Sequence, residues 1–218
     1  MRWGRRSPLA FAIVTFGRAD QAVLRLAARG RSPSAAAAAR AISALAEPRF
    51  VVFPLAATAA VAMRRAGWQA ACAPCLTVAS GAAVRRLLSR VIARPRPPAA
   101  IWLTEPEGFS LPSRHTTLAA LTVGACASSA GAGGLARRAA PLLAVAVVGA
   151  SRVYLGVHWP SDVLAAWVFA EGWLHLAESV TPRAAGWPAW CARGLSGGAG
   201  SPPARWPRRT RPGRPVTR

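Results

Sequence analysis

Five apolar, alanine-rich stretches separated by short arginine clusters constrain the fold of this 218-residue chain more than any other feature. A helix needs about 20 apolar residues to span a bilayer, so several of the stretches must extend into their flanks. Apolar segments span membranes as helices because helices satisfy their own backbone hydrogen bonds. The sequence therefore predicts an all-α, polytopic membrane bundle of about five to six transmembrane helices. The stretches are residues 50–63, 67–84, 116–134, 139–151 and 163–180.

Composition favours a membrane protein over a soluble one. Hydrophobic residues make up 53% of the chain and charged residues 16%, whereas soluble domains carry about 25% charged residues. The net charge of +21 would also fit a nucleic-acid-binding protein. The arginines disfavour that class because they lie between apolar stretches and in the C-terminal tail. We expect a lipid bilayer and no nucleic acid as partner, and the oligomeric state stays open.

The predicted organisation has three parts. Residues 1–46 form a first span or an interfacial helix, and residues 47–180 form the membrane domain. Residues 181–218 form a basic tail with eight arginines and no acidic residue, rich in proline and glycine. Such a segment cannot bury a core, so we expect it to be disordered.

Charge asymmetry gives the predicted bundle an orientation. Basic residues favour the cytoplasmic side of a membrane, which places Arg64-Arg65, Arg137-Arg138 and the tail there. Residues 85–115 and 152–162 then lie together on the outer face. Five arginines break the rule on that face, and an anionic ligand would account for them. They are Arg85, Arg86, Arg90, Arg94 and Arg96.

His158 lies in the stretch SRVYLGVHWPSD, between the last two apolar segments. Asp162 follows four residues later, so a helical segment would put both side chains on one face. The carboxylate would then accept a hydrogen bond from one ring nitrogen and leave the other as a nucleophile. Arg152 ends the preceding apolar segment, and its guanidinium group suits phosphate oxygens.

His115 lies just before another apolar stretch, in LPSRHTT. Ser113 is a candidate N-cap, so the first backbone N–H groups of the helix would point outward. Helix N-termini bind anions through these groups. A histidine in that first turn is placed to donate a proton to a leaving oxygen.

Together these stretches resemble the motifs of the type 2 phosphatidic acid phosphatase (PAP2) superfamily, which also includes vanadium haloperoxidases. The third family motif, S-R-x5-H-x3-D, matches fully over residues 151–162. The second, P-S-G-H, matches at three of four positions over residues 112–115, and the first, K-x6-R-P, matches at Arg96-Pro97. The resemblance covers roughly residues 48–180.

The resemblance implies a phosphatase. His158 would attack phosphorus and form a phosphohistidine, oriented by Asp162, and His115 would protonate the leaving group and later activate water. No metal or other cofactor is implied, because arginines would neutralise the phosphoryl charge. The phosphoryl oxygens would be held by Arg96, Arg152, Ser113 and Arg114, the last through its backbone N–H.

Two positions depart from the family pattern. The lysine of the first motif corresponds to Ser89, which carries no charge. Possible substitute cations are Arg90, Arg86 and Arg85. Arg114 replaces the family glycine and puts a large cation beside the phosphate, which bears on substrate choice.

The leading prediction is a lipid phosphatase at the outer face of the cell membrane. Candidate substrates are polyprenyl phosphates or diphosphates, a polyprenyl-phosphate sugar phosphate, phosphatidic acid and phosphatidylglycerol phosphate. A lysine-free, arginine-rich chain suits a GC-rich bacterium, which favours polyprenyl substrates of the cell envelope. Two alternatives stay open: a protein that binds lipid phosphate without turnover, and a haloperoxidase-like use of vanadate, which the short membrane-embedded chain disfavours.

Overall fold

The computed structural model describes residues 8–180, with side chains from residue 17 onward. Within that range the secondary structure is entirely helical, which confirms the all-α prediction. The predicted tail lies outside the described residues. The helices are α1 (Pro8–Arg29), α2 (Pro33–Ala44), α3 (Pro48–Ile92), α4 (Arg114–Ser129), α5 (Gly134–Tyr154) and α6 (Pro160–Val180), with a 3-10 helix at Ala99–Ile101 between α3 and α4.

The helix α3 contains the first two predicted apolar stretches in one 45-residue element. A kink at Gly67, with φ 82° and ψ −175°, separates the two stretches. Glycine tolerates this positive φ because it has no Cβ. By length and composition alone, two of the helices in residues 8–180, α3 and α5, could cross a membrane.

The helix α4 lies at the centre of the structure and packs against α3, α5 and α6. Every residue from His115 to Thr122 is buried. The helix consists mainly of alanine, threonine, glycine and serine, and such small residues let neighbouring helices approach closely. The central position of α4 fixes its N-terminal end between the loops that follow α3 and α5.

Between residues 8 and 46 the chain forms two helices, α1 and α2. Ser32 caps α2 by accepting a hydrogen bond from the backbone N–H of Ala35, and Pro33 opens the helix. α1 packs against α5 and α6, and α2 packs against α5. Asp20 and Leu24 of α1 are buried at 2% and 4% exposure. The N-terminal region is therefore part of the packed bundle.

Large apolar side chains are exposed along the outward faces of α3, α5 and α6. Phe53, Leu76, Leu143 and Val168 each have about two thirds of their surface open, at 65 to 67%. Extended apolar surface of this kind marks an interaction with a membrane or a protein partner. It agrees with a helix bundle whose perimeter faces lipid.

Candidate active site

The candidate site lies at the N-terminal end of α4, where three segments meet. These are the loop 93–113 after α3, the first turn of α4, and the turn 155–159 between α5 and α6. The sequence prediction that segments 85–115 and 152–162 lie together is confirmed.

The C-terminus of α5 places His158. The N–H of Gly156 bonds to the carbonyl of Val153, and the N–H of Val157 bonds to that of Arg152, which is the Schellman pattern that ends a helix. Gly156 has φ 75°, and a Cβ on it would collide with the carbonyl oxygen of Ile101. The tight turn therefore requires glycine, and His158 follows it two residues later.

Asp162 contacts His158, but not by sharing a helical face with it. His158 lies in the turn before α6, while Asp162 is in the first turn of that helix. The carboxylate Oδ2 accepts the backbone N–H of Trp159 at 2.8 Å, the reach-back contact of a capping box. The same oxygen lies 3.4 Å from His158 Nδ1 and also accepts a hydrogen bond from Ser110 Oγ. Helix capping, rather than helical periodicity, orients this pair.

Arg96 binds the loop around the site. Its Nε and Nη2 atoms donate to the carbonyl oxygens of residues 107–109 at 2.6 to 3.1 Å. Its Nη1 donates to the carbonyl of Val157 at 2.7 Å and lies 3.1 Å from His158 Nε2. Arg96 thus joins the loop after α3 to the turn that carries His158, and it faces the ring nitrogen opposite Asp162.

Arg152 and His115 carry buried polar atoms that have no hydrogen-bond partner among the described residues. These atoms are Nε of Arg152 and Nδ1 of His115. The other side of the Arg152 guanidinium is held by Ser43 of α2, with Nη1 2.7 Å from the serine hydroxyl. Buried donors are normally satisfied, and an unpaired one at a cleft suggests a ligand.

The N-terminus of α4 is uncapped. Ser113 is the N-cap residue, as predicted, but its side chain makes no capping hydrogen bond to the helix. Its hydroxyl instead accepts from Thr116 Oγ1 at 3.0 Å. The backbone N–H groups at the start of α4 are therefore not covered by a side-chain cap, and such groups favour an anion.

Arg114 points to the rim of the site, where its Nη1 pairs with Glu107 Oε2 at 2.9 Å. The Glu107 side chain is 79% exposed, so this ion pair is solvated and weak. The pair lies next to Arg96, whose guanidinium group donates to the backbone carbonyl of the same glutamate. The Arg114–Glu107 pair can therefore break at low cost.

The three possible substitute cations are not equivalent. Arg85 is buried, lies one turn before the buried Ser89, and donates to the carbonyl of Pro112 at 3.1 Å. Arg86 and Arg90 are exposed and line a shallow groove on the outside of α3. Only Arg85 of the three turns toward the segment that precedes α4.

Arg94 makes contacts that the sequence analysis did not anticipate. Its Nη1 bonds to Asp162 Oδ1 at 2.6 Å, and its Nη2 bonds to Asp20 Oδ2 at 2.8 Å. Asp20 also accepts the backbone N–H of Ser161 at 2.9 Å. Asp20 lies 74 residues before Arg94, and Ser43 lies 109 residues before Arg152. Both were missed because they form no local pattern with the motif residues that they contact.

The environment of His158 favours the neutral ring. Burial lowers the pKa of His158 to about 4, although the hydrogen bond and negative charge of Asp162 act in the opposite direction. The positive charges of Arg96 and Arg152 add to the lowering. A neutral imidazole has a lone pair available, which a nucleophile requires.

The family assignment follows from these motifs and their geometry. A family model described as the PAP2 superfamily matches residues 70–184, which is more than half of the chain. The chain belongs to the PAP2 superfamily. The match covers α4, α5, α6 and the second half of α3, while α1 and α2 lie outside it.

A solved structure supports the PAP2 fold. The chain is similar to the "first transmembrane PAP2 type phosphatidylglycerolphosphate phosphatase from Bacillus subtilis", with a TM-score of 0.65 and 23% sequence identity. The similarity covers 80% of this chain and 87% of the other. A comparison with curated protein sequences gave no match. The predictions of a PAP2 protein and of an all-α bundle with the PAP2 fold are confirmed.

Proposed function

We propose that this PAP2 protein hydrolyses a phosphomonoester or diphosphate on a membrane lipid through a phosphohistidine on His158. One observation carries the proposal. The unpaired buried Arg152 Nε and His115 Nδ1 belong to the same site as a neutral histidine that Asp162 orients. A phosphoryl group would satisfy the guanidinium N–H and lie beside the nucleophile.

In the first step, His158 Nε2 bonds to phosphorus as the bond from phosphorus to the leaving oxygen breaks. His115, which takes up a proton when the anionic phosphate binds beside it, gives that proton to the leaving oxygen. In the second step, water attacks phosphorus and passes a proton to His115, and the phosphorus–nitrogen bond breaks to release phosphate. The histidine exchanges acid and base roles between the two steps, so the enzyme returns to its starting state.

Positive charge around the site would stabilise the phosphoryl group. Arg152 has an unpaired donor, Arg96 faces the nucleophilic nitrogen, and the start of α4 offers the backbone N–H groups after Ser113. Arg85 supports the segment before α4 and supplies the charge that Ser89 lacks. These groups neutralise the charge that develops at phosphorus without a metal.

We place the site at the outer face of a multi-pass membrane domain, residues 47–180, with the basic tail in the cytoplasm. The positive-inside rule supports this orientation. Polyprenyl phosphates and diphosphates, phosphatidic acid and phosphatidylglycerol phosphate are the candidate substrates. Arg114 favours substrates with a second anionic group, because its weak pairing with Glu107 leaves it able to bind one.

The experiment measures phosphate release by the detergent-solubilised protein from a panel of these lipids, with EDTA present. His158→Ala is the test variant. His175→Ala is the matched control, because His175 lies on α6 with 62% of its side chain exposed. Release that survives EDTA, persists in the control and disappears in His158→Ala supports the proposal. Release that needs a metal, or that survives His158→Ala, overturns it.

The second candidate is a PAP2 protein that binds lipid phosphate without turnover. Ser89 is buried where the family has a lysine, and this favours it. The double variant Ser89→Lys, Arg114→Gly restores the family residues. Phosphate release by this variant but not by the wild type would support the second candidate, and release by the wild type would exclude it.

A further inference from the structure

The N-terminal helix α1 contributes a carboxylate to the surroundings of the site, although it lies outside the segment that matches the family. Asp20 is 2% exposed, and its nearest charged partner is Arg94 at 2.8 Å. A buried charge is costly unless it is paired, and Arg94 is the partner that offsets this cost for Asp20. The other contacts of Arg94 link Asp20 to the site.

Arg94 lies between two carboxylates, one at each terminal nitrogen of its guanidinium group. Nη1 donates to Asp162 Oδ1 at 2.6 Å, and Nη2 donates to Asp20 Oδ2 at 2.8 Å. The arginine side chain is 17% exposed, and the two carboxylates are 0% and 3% exposed. A planar guanidinium with fixed donors can hold both acids in one geometry, whereas a lysine ammonium cannot.

This sharing controls how much negative charge Asp162 offers to His158. With Asp20 present, one cation is divided between two anions, so Asp162 keeps a net negative field toward the histidine. Without Asp20, Arg94 would pair with Asp162 alone and neutralise it. Ser161 strengthens the arrangement, because its N–H bonds to Asp20 and its hydroxyl accepts from Arg94 at 2.8 Å.

We infer that Asp20 is a positioning residue for the reaction: through Arg94 it fixes Asp162 and preserves the charge that orients and activates His158. The inference rests on the proposed function. It also gives α1 an indirect role in the reaction, because Asp20 on α1 acts on Asp162 through Arg94.

The test compares Asp20→Asn, Arg94→Lys and the double variant. The assay measures hydrolysis of dioctanoyl phosphatidic acid in detergent micelles. Asp20→Asn keeps the size and an acceptor for the Ser161 N–H, but it removes the charge and the oxygen that accepts from Arg94 and from the Ser161 hydroxyl. Its kcat should fall about 10- to 100-fold, which is the effect of changing residues that orient the ligands of a metal site. KM should change less than twofold. Arg94→Lys should likewise lower kcat and leave KM nearly unchanged. The double variant should be no slower than Arg94→Lys, because both changes break one chain of contacts.

Glu171→Gln is the charge-matched control, since Glu171 lies on α6 and its contact is His175 at 4.0 Å. It should retain wild-type kcat. A wild-type kcat for Asp20→Asn, a rise in KM alone, or losses that multiply in the double variant would each overturn the inference. If Asp20→Asn does not fold, as judged by thermal melting, the kcat of Arg94→Lys decides. An inactive wild type would instead overturn the proposed function itself.

Discussion

Nη1 of Arg96 lies 3.1 Å from Nε2 of His158, so the guanidinium group faces the ring nitrogen that would attack phosphorus. The opposite nitrogen of the ring faces Asp162. The histidine is therefore held between a cation and an anion. Under the proposed mechanism, this arrangement makes Nε2 the nucleophile.

Replacement of Arg96 by lysine should lower kcat/KM by about 100-fold, because a lysine cannot hold the loop carbonyls and the phosphoryl oxygens at once. Phosphate release from a lipid substrate measures the effect. Arg90→Lys is the control, since Arg90 is exposed on the outside of α3. Equal activities of the two variants would contradict the role of Arg96.

The pH profile should report the low pKa of His158. Because its pKa is lowered to about 4, the neutral nucleophile persists well below the ordinary histidine pKa of about 6.5. It is lost only as the pH falls through about 4. The acid limb of kcat/KM, corrected for the ionisation of the substrate, should therefore lack a histidine step between pH 5.5 and 7.

With p-nitrophenyl phosphate as the substrate, the pH profile of the first step reports the ionisation of His158 and not that of His115. The leaving group of this substrate departs without a proton, so the first step depends on the nucleophile alone. A loss of activity with a midpoint near 6.5 under these conditions would show that His158 is not shifted.

Arg85 should matter although it is absent from the family motif. Arg85→Ala removes the buried cation and its bond to the Pro112 carbonyl, and kcat/KM should fall at least about tenfold, the effect of roughly one charged hydrogen bond. Arg86→Ala is the matched control on the exposed side of the same turn. If both variants keep full activity, Arg85 does not replace the lysine.

Gly156→Ala should destabilise the protein by about 1–3 kcal/mol, because a Cβ there forces a strained φ and a collision with the Ile101 carbonyl. The readout is the thermal melting temperature, with activity measured beside it. Gly172→Ala is the control, since its Cβ would meet nothing within 4 Å. That change should be neutral or stabilising, because alanine favours helix. Equal melting temperatures for the two variants would contradict the requirement for glycine.

The sequence allowed the apolar helices and the motif residues to be predicted, because both are encoded in local spacing. Arg85 was not singled out from the sequence among the three possible substitute cations; its burial with positions 81 and 89 is a finding of the structure. The orientation of the His158–Asp162 pair was not predicted either, since it depends on the capping turn before α6. Asp20 and Ser43 could not be predicted, because only tertiary packing brings α1 and α2 to the site.

The length of α4 has a consequence for how a lipid reaches the site. Sixteen residues of α-helix are about 24 Å long, which is shorter than the hydrocarbon core of about 30 Å. Where the other end of α4 lies at the opposite headgroup level, the end that carries His115 is recessed below its own headgroup level. A lipid phosphate would reach His158 by sinking a few ångströms between the helices, while its chains remain surrounded by other lipids.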